Sequence, residues 1–217
     1  MIRNIVFDMG GVLYHWSPEI AFRDYGEEDG RILYDAVYGS PDWKRLDRGD
    51  IGEDDLIALA SARVPDRLKP EVVRLARWYQ LTGPVEGMEE LADELHGAGY
   101  PLYLLSNTSR AFHSFRGRIP ALRFFTGEFI SADHRLLKPD PEIFRAFLAE
   151  FGLKAEETLF IDDWEPNVEG ARSVGMEGIR FDGSARDLRK ALSAWNFLPS
   201  VPVPEAGAVA EPKGKEP

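Results

Sequence analysis

The sequence predicts an α/β fold: a parallel sheet flanked by helices, with a small helical segment inserted after the first strand. Three observations predict it. Short apolar runs alternate with longer segments of helical period, which argues for successive βα units. The stretch from Trp16 to Pro84 has a different texture, with helical patterns and without a strand-like run. The chain has 217 residues, 44% of them hydrophobic, enough for a full core with room for one insertion.

Taken in order, the first strand is Ile5-Val6-Phe7. Segment 16–84 follows, with helical patterns at Asp55-Leu56-Ile57-Ala58-Leu59-Ala60 and from Glu71 to Tyr79. Further strands are expected at Leu102-Tyr103-Leu104-Leu105, Phe129-Ile130, Thr158-Leu159-Phe160-Ile161 and Gly178-Ile179-Arg180-Phe181. Asp140-Pro141 is an N-cap followed by proline at the first helical position. Ile143, Phe144, Phe147, Leu148 and Phe151 then form one apolar face, and Gly152 closes the helix. Two more helices are expected, from Glu165 to Gly175 and from Ala185 to Trp195. Residues 1–15 and 85–198 thus form the core domain and 16–84 the insertion. After Leu198 the sequence PSVPVPEAGAVAEPKGKEP lacks the apolar density to offset the entropy of ordering, so residues 199–217 are expected to be a disordered tail.

Composition narrows the function. A formal net charge of −11 repels polyphosphate backbones and anionic membranes, so nucleic acid is not an expected partner. With no cysteine, the chain has neither a disulfide framework nor a thiolate nucleophile or metal ligand. The apolar N-terminal stretch is broken at Asp8, and no run reaches the length of a membrane span, which predicts a soluble cytoplasmic protein, monomer or homodimer. His96, His113 and His134 show no metal-ligand spacing. Phe112, Phe115, Phe124, Phe125 and Phe129 have no basic stripe between them and are expected in the core.

Four polar features sit where strands end, the edge at which parallel sheets bind ligands. They are Asp8, Ser106-Asn107-Thr108, Lys138, and Asp162-Asp163 with Asn167 four residues on. Singly, each is explained as a cap, a turn or a solvated charge. Together and in this order, FDMGGVL, LLSNTS, LLKPDPEIF and FIDDWEPNVEGARSVGM resemble the four motifs of the haloacid dehalogenase-like (HAD) hydrolase superfamily, subfamily IA, from about residue 2 to 183. The Asp-x-Gly first motif, LSNTSR and the DD-x-x-x-N fourth motif look like a bacterial subgroup that includes an α-D-glucose-1-phosphate phosphatase. PDWKRLDRGDIGEDDL resembles the aromatic, basic, Gly-Ile pattern of that family's cap.

The resemblance implies a three-layer Rossmann-like parallel sheet, with segment 16–84 as the cap. It also implies a Mg²⁺-dependent phosphatase acting on a small phosphorylated metabolite such as a sugar phosphate. Asp8 would attack phosphorus and carry an aspartyl-phosphate. Asp8, Asp163 and the Gly10 carbonyl would hold Mg²⁺, Asp162 would fix Lys138, and Asn167 would support the metal site. The Ser106 hydroxyl and Asn107 amide would hold phosphate oxygens, and Lys138 would neutralise charge building on them.

Gly10 departs from the pattern, because most of the superfamily places a second aspartate there as general acid and base. A positioned proton carrier is worth roughly a hundred- to ten-thousandfold in rate. Three outcomes are open: a substitute residue, a leaving group that hardly needs protonation, or weak turnover. His15 and the cap residues Asp42, Lys44, Arg45 and Asp47 are the candidate substitutes, although His15 packing at the cap entrance and a solvated charged helix are the plainer readings. The rival functions are a phosphate-metabolite-binding or regulatory protein without useful turnover, and a metal-free 2-haloacid dehalogenase. Asp162-Asp163 and Lys138 argue against the dehalogenase.

Overall fold

In a computed structural model, which describes residues 1–195 and 197, the chain folds in the order β1 (Asn4–Phe7), α1 (Ile20–Ala36), α2 (Pro41–Arg48), α3 (Glu53–Ser61), α4 (Lys69–Ala76), α5 (Met88–Gly97), β2 (Leu102–Ser106), α6 (Phe112–Phe115), β3 (Phe125–Ile130), α7 (Ser131–His134), α8 (Pro141–Phe151), β4 (Thr158–Asp162), α9 (Glu165–Ser173), β5 (Glu177–Arg180) and α10 (Ala185–Ala194). The five strands form one parallel sheet in the order β3-β2-β1-β4-β5. From β1 the chain builds outward through β2 and β3, then returns to lay β4 on the other side of β1. The carboxyl ends of β1 and β4 therefore flank the point where winding reverses, the place such sheets bind ligands.

Side-chain alternation along β1 explains the three layers. Ile5 and Phe7 pack on one face with Met88, Leu91 and Leu95 of α5 and Leu188 and Leu192 of α10. Val6 points the other way, into a second core with Ile143, Phe144 and Phe147 of α8 and Ala171 of α9. With both faces covered, every β1 and β4 residue is buried, which is why these strands read as unbroken apolar runs. The expected phenylalanine cluster is core: Phe112, Phe115 and Phe129 are buried, and Phe124 and Phe125 are partly so.

Helix α8 follows its sequence signals: the Asp140 side chain accepts from the Glu142 amide at 3.0 Å, Pro141 opens the helix and Gly152 caps it. Boundaries elsewhere shift slightly. The third strand starts at Phe125 rather than Phe129, because its first residues are only partly buried and give a weak apolar signal. Helix α9 ends at Ser173, α10 at Ala194, and β5 begins at Glu177. The sequence assigned no helix to α1, which is broken at Gly26, or to α5.

Helices α1 to α4 pack mainly on one another, through Leu33, Val37, Val72 and Leu75 and through Leu46, Leu56 and Ala76. The chain enters and leaves this helical group side by side. His15 N donates to Gly83 O at 2.8 Å, Val85 N to Leu13 O at 3.1 Å, and the Tyr14 hydroxyl to the carbonyls of Tyr79 and Thr82 at 2.9 Å each. The tail expected at 199–217 lies outside the described residues. No helix among the described residues is long and apolar enough to cross a membrane.

Candidate active site

At the carboxyl edge of the sheet, a cavity of about 410 Å³ brings together Asp8, Gly10, Asn107, Thr108, Lys138 and Asp163 from the sheet side. Asp8 follows β1 directly, and its amide continues the ladder by donating to Ile161 O at 2.8 Å. The sheet itself thus fixes where Asp8 stands relative to the end of β4.

Lys138 is the hub. Its Nζ lies 2.7 Å from Asp8 Oδ1 and 2.7 Å from Asp162 Oδ2, and donates to Leu105 O at 3.0 Å. A buried ammonium with two carboxylates and a carbonyl has all three donors satisfied. Burial works against its charge, but Asp162 and Asp8 outweigh that and hold its pKa above the ordinary lysine value. Asp162 is committed to support. Its Oδ1 also accepts from Trp164 N at 2.9 Å, and Asn167 Nδ2 donates to both its oxygens at 3.1 and 3.0 Å. Asn167 therefore steadies Asp162, while its own Oδ1 is buried without a partner. Asn107 has a role its sequence did not announce. Its side chain donates to Lys138 O and accepts from Lys138 N, both at 2.9 Å, and so locks the lysine's backbone to the end of β2. Ser106 is the last residue of β2, buried, and does not line the cavity.

Burial pushes the Asp8 carboxyl up to about 7, with Lys138 opposing and Asp162 and Asp163 adding to the rise. Burial and then Asp162 also raise Asp163. Crowded carboxylates of this kind attract a cation. Asp8, Asp162 and Asp163 each bring an oxygen within 4.8 Å of the others, and since Asp162 is committed to Lys138 and Asn167, Asp8 and Asp163 are left to the cavity. The residue that makes room is Gly11. At φ +80° it adopts a conformation that favours glycine, and a β-carbon there would collide with the Asp163 carboxylate. An all-oxygen donor set on this cradle fits Mg²⁺.

Much of the rest of the cavity wall comes from segment 16–84. Trp16 stacks on Trp43 at 5.3 Å between ring centroids and lies 4.7 Å from Trp78, and all three line the cavity together with Trp164. Four of the chain's five tryptophans thus surround one site. Of the candidate substitutes for the missing acid, His15 is exposed and lines a different cavity beside α1, not this one. Asp42 is buried in pairs with Arg45 and Arg63, and Lys44 and Arg45 are exposed. Asp47 is the one that reaches the cavity. Burial, and secondarily the Asp8 charge, hold its carboxyl well above the ordinary aspartate value.

Comparison with known proteins agrees with this geometry. A family model described as haloacid dehalogenase-like hydrolase matches residues 2–175. The chain is 32% identical over 190 residues to a sesquiterpene phosphatase of Aspergillus oryzae, covering 84% of this chain and 91% of that protein. Its fold is similar to a HAD-like family hydrolase from Porphyromonas gingivalis, with 28% identity, TM-score 0.70 and coverage of 90% and 98%. It is also similar in fold to a HAD family enzyme from Bacteroides thetaiotaomicron solved as a mutant with magnesium and inorganic phosphate, at 22% identity, TM-score 0.67 and coverage of 85% and 96%.

Proposed function

Because the chain belongs to the haloacid dehalogenase-like hydrolases, we propose that it is a Mg²⁺-dependent phosphatase that hydrolyses a small phosphorylated metabolite through an aspartyl-phosphate on Asp8. The observation that carries this reading is the shared Lys138 ammonium, 2.7 Å from both Asp8 and Asp162 at the cavity floor. An ammonium held there by Asp162 meets an incoming phosphate beside the nucleophile. The 32% identity to a protein named as a phosphatase supports the same reaction class.

Asp8 Oδ attacks phosphorus, the bond to the leaving oxygen breaks, and water then hydrolyses the aspartyl-phosphate to return the carboxylate and release inorganic phosphate. Lys138 lends positive charge to the phosphate oxygens as negative charge builds on them. The Asn107 amide holds a further oxygen, whereas Ser106, buried at the end of β2, is not on the cavity wall. Asn107 also fixes the register between β2 and the lysine loop, so the clamp closes as a unit. Bound by Asp8, Asp163 and the Gly10 carbonyl, Mg²⁺ would screen the repulsion between the nucleophile and the phosphate dianion. Residues 16–84 act as the cap, and its tryptophans supply an apolar wall for the organic part of the substrate, on which a sugar ring can stack.

The rival reading, a phosphate-binding protein without turnover, rests on Gly10 alone, while nucleophile, lysine and metal acids are all present. The test is a phosphatase screen over phosphorylated metabolites with Mg²⁺, run on the wild type and Asp8→Asn. Turnover by the wild type only is the expected result. Binding without turnover in both would favour the rival, and equal turnover in both would overturn the Asp8 reading.

A further inference from the structure

Gly10 has no side chain to carry a proton, and the inference drawn from its surroundings rests on the phosphatase reading above. On the sheet side, position 10 of the first motif is crowded by an indole. A β-carbon on Gly10 would come within 3.3 Å of Trp16 Cβ and Cδ1, so Trp16 would have to shift for any side chain there. Trp16 in turn stacks flat on Trp43, the two rings 5° from parallel. Trp43 and Asp47 are four residues apart on α2 and so share a face. The helix whose Trp43 backs the Trp16 indole beside position 10 therefore carries a carboxyl into the same cavity one turn later.

Asp47 is held there by the sheet domain. Its carbonyl accepts from the Ser131 hydroxyl at 2.6 Å, and that same hydroxyl accepts from Thr108 N at 2.9 Å in the loop after β2. Arg110 donates to Gly49 O at 3.1 Å and to Ala132 O at 2.7 Å, clamping the end of α2 to α7. Gly49 takes φ +77°, and a β-carbon there would run into the Ala132 backbone, so the two segments meet with no side chain between them. The backbone of Asp47 is thus tied to the loop that carries Asn107. Among the described residues its carboxyl has no ion-pair or hydrogen-bond partner, whereas Asp8, Lys138 and Asp162 are bound to one another.

We propose that Asp47 of the cap is the general acid and base of the reaction, taking the place of the absent second aspartate of the first motif. As Asp8 Oδ attacks phosphorus, the electron pair of the breaking P–O bond goes to the leaving oxygen, which takes the Asp47 proton. In the second half, the Asp47 carboxylate takes a proton from water, the water oxygen attacks phosphorus, and the bond to Asp8 breaks. Inorganic phosphate leaves and Asp47 is protonated again. Asp47 then serves leaving groups that cannot depart as bare anions, so the substrate need not be confined to esters of acidic hydroxyls.

The experiment uses the full chain with Mg²⁺ and compares wild type, Asp47→Asn and Asp47→Ser on p-nitrophenyl phosphate and glycerol phosphate. With Asp47 replaced, turnover of glycerol phosphate is expected to fall roughly a hundred- to ten-thousandfold. With p-nitrophenyl phosphate a burst of about one nitrophenolate per enzyme should remain, followed by slow turnover. Mass spectrometry should then find a phosphoryl adduct accumulated on Asp8. Either variant carries the test if the other fails to fold. Wild-type kinetics on both esters, or equal loss on both with no burst and no adduct, overturns the role of Asp47. Asp8→Asn separates the two readings: turnover surviving in that variant overturns the phosphoenzyme and the Asp47 role with it. Loss there beside an unaffected Asp47→Asn overturns only the latter.

Discussion

Gly11 exists in this chain to make room for Asp163: the first motif turns at φ +80° directly beneath the Asp163 carboxylate, where any side chain would displace it. The neighbouring glycine has a different neighbour, since a β-carbon at Gly10 meets Trp16 first, at 3.3 Å. Gly11→Ala is therefore expected to abolish Mg²⁺-supported turnover and to lower stability by about 1–3 kcal/mol through backbone strain. Gly10→Ala should cost far less on both counts. A magnesium titration of activity and a urea melt of each variant check the contrast.

Lys138 is the only cation touching Asp8 or Asp162 among the described residues. Lys138→Met keeps much of the side chain's volume but leaves two buried carboxylates without their partner. Breaking a buried pair in this way costs roughly 3–5 kcal/mol, offset in part as Asp8 takes up a proton. Urea unfolding should show this loss, and turnover should vanish.

Asp163 behaves oppositely in the absence of metal. Burial and Asp162 raise its pKa, so its charge is a burden on the empty cluster. Asp163→Asn is expected to melt no lower than wild type in the presence of a chelator. It should lose the rise in melting temperature that Mg²⁺ gives the wild type, because less metal binding means less mass-action stabilisation. A melt of the two proteins with and without Mg²⁺ decides this. Chelation should also abolish wild-type turnover, and added Mg²⁺ should restore it.

Asp42 supplies a pH dependence away from the chemistry. Arg63, then Arg45, hold its carboxyl below the ordinary 3.8, at a side chain only 7% exposed. A depressed folded pKa contributes stability that is fully present above 3.8 and is lost as pH falls through the lower folded value. Asp42→Asn should thus cost about 1.5 kcal/mol near pH 6, by loss of charge-assisted hydrogen bonds. That difference should shrink as pH drops below 3.8. Thermal melts of both proteins across this range measure it.

The parts that were legible in the sequence are those whose physics is local. β1, β2 and β4 are short apolar runs ended by polar residues, and α8 carries its own cap, proline and apolar face. Asp8 and Asp163 were legible as well, because strand ends place their side chains at one sheet edge, whereas Lys138, eight residues past β3 and beyond α7, is brought there by the Asn107 side chain that holds its backbone. The helix α5 shows Met88, Leu91, Ala92 and Leu95 at helical spacing, a signal that was present and unassigned. β3 was only half visible because a partly buried edge strand does not demand apolar residues throughout.

Within PDWKRLDRGD, by contrast, Asp42 and Asp47 are the same residue type in one charged helix, and nothing local tells them apart. Arg63, from beyond α3, turns Asp42 into a structural pair, whereas Ser131, 84 positions away, pins the Asp47 backbone beside the cavity. Likewise, the sequence could name Gly10 as the place where an acid is missing, but not Trp16 as the side chain that crowds that position. The order of the motifs along the chain determined the family chemistry, because three of the four sit at strand ends that the parallel sheet must gather, and the loop before α8 brings Lys138 to the same edge. Which carboxylate of segment 16–84 reaches the cavity was decided only by tertiary packing, since the docking of α2 on α7 depends on contacts that no stretch of local sequence contains.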